Sequence, residues 1–127
     1  MSNNSVKKVA FIGLGVMGYP MAGYLQQKGY QVSVFNRTTA KAQQWAKQYG
    51  GNFADTPAKA AQGAELVFMC VGNDNDVRSV VYGEHGVLAG MQAGAVMVDH
   101  TTASANLARE LSQAAKQQGI GFLDAPV

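Results

Sequence analysis

With a single cysteine, Cys70, the chain cannot close an internal disulfide. Its setting in Leu66-Val67-Phe68-Met69-Cys70-Val71 predicts a buried, unreactive thiol in a reducing compartment. Charge of one sign is also scarce, since ten Lys plus Arg face eight Asp plus Glu for a net +2. No basic block gathers them, which excludes the electrostatic footprint that nucleic-acid binding requires. No apolar run approaches the roughly 18 residues of a membrane span, and Met1 to Lys8 is a polar lead without the apolar core of a signal peptide. A cytoplasmic location with no membrane partner is therefore expected. At 127 residues, 47% of them hydrophobic and 14% charged, the polypeptide has material for one packed domain and not two. It has no repeat, linker or low-complexity tract, so residues 1–127 should form one sheet with its covering helices.

What is present is an alternation of short β-branched or aromatic runs with segments of helical period, the pattern of βαβ units feeding a parallel sheet. Strands are expected at Lys8–Gly13, Gln31–Phe35, Asn52–Ala54, Leu66–Val71 and Ala95–Asp99, with a sixth beginning near Gly119 and running to Asp124. The near-continuous apolar run from Leu66 belongs near the middle of the sheet, where strands are buried on both faces. A helix from about Met17 to Lys28 should bury Met17, Met21, Tyr24 and Leu25. Thr38 or Thr39 can cap the next, which carries Ala42, Trp45, Ala46 and Tyr49 on its core face. Thr56-Pro57 reads as a cap followed by proline at the first helical position. Asp74 or Asn75 can cap a helix containing Val77, Val80 and Val81, followed by a glycine-rich turn around Gly86 and Gly90. The last helix runs roughly from Ser104 to Gln118. The expected fold class is α/β, a doubly wound parallel sheet of about six strands with helices on both faces.

Gly13-Leu14-Gly15-Val16-Met17-Gly18 matches the G-x-G-x-x-G spacing, a weak signal alone in a chain with 15 glycines. Its placement between the Val9-Ala10-Phe11-Ile12 strand and a helix is what a dinucleotide-binding turn requires, and a purely structural turn is the alternative. Gly13 would permit the sharp turn, Gly15 would let a pyrophosphate approach the backbone, and Gly18 would let the helix close on the strand. Pro20 lacks an N–H, so the helix cannot start much before Met17, and the N–H groups around Val16 to Gly18 are left for phosphate oxygens.

At the end of the second strand, an acidic side chain would accept from an adenosine ribose and repel a 2′-phosphate. This chain has Asn36, then Arg37 and Thr38: an amide, a guanidinium and a hydroxyl at a helix start, suited to the 2′-phosphate of NADP rather than to NAD. The alternative is a solvated turn with an N-cap threonine.

Taken together, Phe11 to Ala22, Asn36-Arg37-Thr38, Cys70-Val71-Gly72-Asn73, Asp99-His100-Thr101-Thr102-Ala103-Ser104 and Phe122-Leu123-Asp124-Ala125-Pro126-Val127 resemble the β-hydroxyacid dehydrogenase family. This is the group of 3-hydroxyisobutyrate dehydrogenase, tartronate semialdehyde reductase and glyoxylate/succinic semialdehyde reductase. The resemblance implies a Rossmann-type NAD(P)-binding domain in which Gly13 to Gly18 hold the pyrophosphate and Asn36 to Thr38 the adenosine end. It further implies that Val71, Gly72 and Asn73 meet the ribose and pyrophosphate, and that Thr102 sits beside the nicotinamide. His100 is not catalytic by this likeness, His85 is an exposed loop residue, and no metal is implied.

In that family the final motif continues into a Ser-Gly-Gly segment that grips the substrate carboxylate, then into a helical domain carrying the catalytic lysine. None of the ten basic residues matches that lysine, so no catalytic residue is expected within residues 1–127. The expectation is the cofactor half of a homo-oligomeric oxidoreductase acting on a small carboxylate, a 3-hydroxyacid or semialdehyde, with the 127-residue chain inactive alone. Two alternatives are a stand-alone nucleotide-binding or dimerisation module and a Rossmann domain for another adenine ligand, such as a methyltransferase; the latter would leave Arg37 and Thr38 without a phosphate.

Overall fold

The computed structural model describes residues 7–101 and 104–125. Twelve elements alternate along them: β1 (Lys8–Ile12), α1 (Gly18–Gln27), β2 (Gln31–Phe35), α2 (Thr39–Tyr49), β3 (Asn52–Phe53), α3 (Pro57–Ala61), β4 (Leu66–Met69), α4 (Asp74–Val81), α5 (Val87–Gly90), β5 (Val96–Asp99), α6 (Ala105–Gln117) and β6 (Gly121–Asp124). The strands form one six-stranded sheet in the order β3-β2-β1-β4-β5-β6, with every neighbouring pair parallel. The fold is the expected doubly wound Rossmann-type sheet. From β1 the chain winds outward through β2 and β3, then returns to place β4 on the other side of β1. The crevice past the ends of β1 and β4 is therefore the topological switch point, where such sheets take their ligands.

Strand β1 is buried on both faces, and its alternation divides the core in two. Val9 and Phe11 join Trp45, Val32 and Val34 beneath α1 and α2. Ala10 and Ile12 join Val67, Met69, Leu107 and Leu111 on the face covered by the later helices. Each large side chain fully removed from water here contributes about 1.5–3 kcal/mol. Trp45 and Tyr49 are core neighbours, with ring centroids 5.6 Å apart, and the α4 valines and the α6 leucines are buried as their spacing predicts.

Several boundaries differ for physical reasons. Helix α1 buries Gly18, Ala22 and Gly23, whereas Met17 and Tyr24 are exposed. Small residues let this helix lie close: a Cβ on Gly23 would meet the Tyr49 ring at 2.4 Å. Strand β4 ends at Met69 because Val71 turns its N–H to the Thr101 hydroxyl at 3.0 Å. Asn73, one residue earlier than expected, caps α4 by accepting the Asp76 N–H at 2.9 Å. The turn expected around Gly86 and Gly90 contains the short helix α5, in which a Cβ on Gly90 would collide with the Ala58 carbonyl oxygen at 2.0 Å. That glycine serves close helix packing rather than a turn. The cap at Thr56 stands as predicted, and Ser104, expected only as the approximate start of the last helix, caps α6; each accepts a backbone N–H at 3.1 Å. Among the described residues, no helix is long and apolar enough to cross a membrane.

Candidate functional site

Three loops at the switch point are joined by backbone hydrogen bonds. Gly13 donates to the Phe35 carbonyl at 2.9 Å, and Cys70 donates to the Ile12 carbonyl at 2.9 Å. The glycine loop is further tied to the turn after β2 by the Leu14 N–H, which donates to Asn36 Oδ1 at 2.9 Å. Asn36 Nδ2 in turn donates to the Thr38 carbonyl at 3.1 Å. The amide at this strand end thus ties its own turn to the glycine loop through its oxygen and braces that turn through its nitrogen, a role that the order of residues alone does not reveal.

The glycines divide their work as the motif demands. Gly13 has φ +98°, in the left-handed region, and a Cβ there would lie 2.2 Å from the Cys70 carbonyl oxygen. A Cβ on Gly18 would lie 2.3 Å from the Gly13 carbonyl oxygen and 3.1 Å from the Phe11 ring, so α1 can close on β1 only over a hydrogen. At Gly15 a Cβ would meet nothing within 4 Å. Space in front of this residue is open to a ligand, while the other two positions are filled by protein. Helix α1 begins behind it with no side-chain cap and no acidic residue in its first turn, which leaves its positive end for an anion.

These loops line a cleft of about 590 Å³. Of the residues predicted from sequence it brings together Gly13, Leu14, Gly15, Val16, Met17, Asn36, Arg37, Thr38, Val71 and Gly72. Gly18 is buried beneath the loop, and Asn73 stands outside the lining as the α4 cap. Thr102 lies outside the described residues. The cleft also takes in Pro57, Cys70, Asp76, Ser79 and Val80, none of which the sequence assigns to cofactor binding. Ser79 and Val80 belong to α4, whose first turn faces the Arg37 loop; a helix of valine core spacing gives no sign of this second duty.

Cys70 is half-buried rather than buried: it packs against the core cluster that holds Phe11 and Leu14 and also lines the cleft. Burial, and secondarily the Asp99 charge, push its thiol above the ordinary range, so it stays protonated and poorly nucleophilic. Behind the cleft, the buried Asp99 accepts the Thr101 N–H through Oδ1 at 2.9 Å, and Thr101 holds Val71 as described. Burial chiefly raises the Asp99 carboxyl above its usual range, Asp124 adding to it. Neither Asp99 nor Thr101 is marked by the sequence in its own right; what marks them is being a buried polar pair at a strand end. His100 donates from Nδ1 to the Ala125 carbonyl at 2.7 Å and stacks on Phe68 with centroids 5.8 Å apart, which fixes β5 to the end of β6. His85 is exposed beside Glu84.

The frame under α4 is polar but well satisfied. Asp74 accepts both the N–H and the hydroxyl of Ser104, at 3.0 and 2.6 Å, and these bonds hold its carboxyl below the usual range. Glu110 on α6 receives Arg78 at 3.2 Å and the Tyr82 hydroxyl at 2.8 Å. Partial burial, aided by Glu110, pushes that phenol up to about 12.

Comparison with known proteins agrees with this geometry. The family described as the NAD binding domain of 6-phosphogluconate dehydrogenase matches residues 8–127. An uncharacterized oxidoreductase of Shewanella frigidimarina (strain NCIMB 400) is 64% identical over 120 residues, covering 94% of this chain and 41% of the relative. The structure of Mycobacterium tuberculosis 3-hydroxyisobutyrate dehydrogenase with L-serine superposes with a TM-score of 0.86 at 30% identity, over 97% of this chain and 41% of that one. An imine reductase from Myxococcus stipitatus in complex with NADP+ gives a TM-score of 0.82 at 32% identity, over 92% and 39%. The chain thus spans about two fifths of the length of the relatives it matches.

Proposed function

The chain belongs to the family of the NAD binding domain of 6-phosphogluconate dehydrogenase, a nicotinamide-dinucleotide fold of oxidoreductases, and from that premise we propose that it binds NADP in preference to NAD. In this reading residues 1–127 are the dinucleotide-binding domain of an enzyme that moves hydride between the cofactor and a small 3-hydroxyacid or semialdehyde. The observation that carries the cofactor preference is that Arg37 and Thr38, with no acidic residue at the β2 end, line the same cleft as the glycine loop. Substrate class rests on the 3-hydroxyisobutyrate dehydrogenase likeness. The lone free thiol favours a reducing compartment, which supports the cytoplasm as its location.

The residues present fit the dinucleotide. Open space at Gly15 and the uncapped α1 N-terminus would receive the pyrophosphate, assisted by the backbone around Val16 and Met17. Arg37 and the Thr38 hydroxyl, which makes no cap bond of its own, would take the 2′-phosphate. Asn36 would position that pair rather than meet the phosphate itself, and Val71 and Gly72 would line the ribose side. Asn73 would hold α4 in place, and Thr102 would stand toward the nicotinamide. The bound nicotinamide supplies the hydride chemistry. What these residues supply is binding, orientation and a fixed register between the three loops. Proton transfer to the substrate oxygen would fall to a group outside residues 1–127, so the chain alone should not turn over substrate.

Titration of NADPH and NADH against the chain and its Arg37→Ala variant tests the preference. Tighter NADPH binding, lost by about tenfold or more in the variant with NADH little changed, is the expected result. Equal affinities in the unaltered chain would refute it.

A further inference from the structure

Arg37 does not project freely into solvent. Its Nη2 meets Asp76 Oδ1 at 2.8 Å, across the mouth of the cleft from the turn after β2 to the first turn of α4. Thirty-nine residues separate the two in sequence, and both line the cleft. The carboxylate is the less exposed partner, at 28% against 75% for the guanidinium. It is held from two sides: its own backbone N–H is fixed by the Asn73 cap, and it lies so close under Gly72 that a Cβ there would be 2.4 Å from Oδ2. Asp76 therefore stays where it is, and Arg37, on a longer and more exposed arm, is the mobile half of the pair.

We propose that Asp76 is a specificity-setting positioning residue that holds the Arg37 guanidinium across the cleft mouth and competes for it with the cofactor's 2′-phosphate. This rests on the NADP reading of the same site. A dianionic phosphate seated on Arg37 must either displace the carboxylate or share the guanidinium with it, and sharing puts two like charges on one cation. NAD makes no such demand, because its ribose hydroxyl carries no charge. Asp76 thus narrows the advantage of NADP over NAD that Arg37 alone would give. An exposed pair of this kind is weak, which suits a contact that must open at each binding event.

The test is a double-mutant cycle on the chain, with NADPH and NADH dissociation constants measured by isothermal titration for the unaltered protein, Asp76→Asn, Arg37→Ala and the double variant. Asparagine keeps the size of the side chain and removes its charge; unchanged thermal unfolding of Asp76→Asn checks that the α4 cap survives. Asp76→Asn should raise the NADPH-over-NADH preference by about 3- to 10-fold, and that gain should vanish in the Arg37→Ala background. A preference that is unchanged or reduced by Asp76→Asn, in a protein that prefers NADPH, would overturn the role of Asp76 alone. A gain that persists without Arg37 would overturn it too, since direct repulsion would then be the cause. Equal NADPH and NADH affinities in the unaltered chain would defeat the NADP reading, and this inference with it.

Discussion

Leu14 and Asn36 are joined across the switch point by a 2.9 Å hydrogen bond from the backbone of one to the amide oxygen of the other. The loop that would hold a pyrophosphate and the turn that would hold a 2′-phosphate therefore move as one piece. Leu14 is 1% exposed, so water cannot readily replace the bond. Asn36→Ala should lower stability by about 1–3 kcal/mol in urea denaturation and weaken NADPH and NADH together. Asn36→Asp retains the acceptor but adds a charge beside Arg37, and should shift preference toward NADH. Titrations in which Asn36→Ala harms NADPH alone would show that the amide meets the phosphate directly.

The three motif glycines should separate into two kinds. Gly13→Ala and Gly18→Ala drive a methyl into carbonyl oxygens at 2.2 and 2.3 Å, and each should destabilise the fold by about 2 kcal/mol or more. Gly15→Ala meets nothing within 4 Å and should leave thermal unfolding near that of the parent. Its cost appears in nucleotide affinity, expected to fall by about tenfold, because the methyl occupies the space the pyrophosphate would use. Normal binding by a stable Gly15→Ala protein would place the pyrophosphate elsewhere.

Much of this is legible in the sequence because local chemistry and global fold agree. The strand before Gly13, the Thr56-Pro57 start of α3 and the start of α6 near Ser104 are specified by neighbours in sequence, and each stands where its residues predict. What escapes depends on partners distant along the chain. Arg37 and Asp76 meet only once α4 is laid beside the β2 turn. Gly90 reads as a turn residue until Ala58 is brought against it, and the exposed Tyr24 reads as core until the small residues of α1 are seen to face the sheet. The cleft-facing side of Cys70 is hidden by the apolarity of the run that contains it.

Asp99 makes the stability of the chain depend on pH in a direction opposite to ordinary acid denaturation. Its carboxyl is raised by burial in the folded state, so between the unfolded value near 3.9 and the higher folded value the folded protein binds more protons than the unfolded one. The ionised form is the strained one, and the strain is relieved as pH falls through the folded value. Relative to Asp99→Asn, the unaltered chain should therefore gain stability as pH falls from neutrality toward about 4, and no further below it. Denaturation midpoints of both proteins across this range read the difference directly. A stability relative to Asp99→Asn that stays constant or falls on acidification would contradict the burial of an ionisable group there.

The two edges of the sheet differ in kind, and one of them should recruit a second chain. At one end β3 is only two residues long, too short to template a partner. At the other, β6 spans Gly121–Asp124, and among the described residues nothing pairs with its outer side. Leu123 on that strand is 55% exposed, while Phe122 turns inward and packs against the core. Asp124 places one charge at the strand end, modest protection for an edge this apolar. Unless residues following Val127 cover that strand, residues 1–127 should therefore self-associate, with sedimentation velocity showing a species larger than monomer that grows with concentration. Leu123→Lys should return it to monomer without loss of stability, because the side chain it replaces contributes little to the core. Phe122→Lys is the wrong probe, since it would unseat a packed ring and confuse unfolding with dissociation. A single monomeric species at every concentration, unaltered by Leu123→Lys, would show that this edge is protected by something other than a second copy.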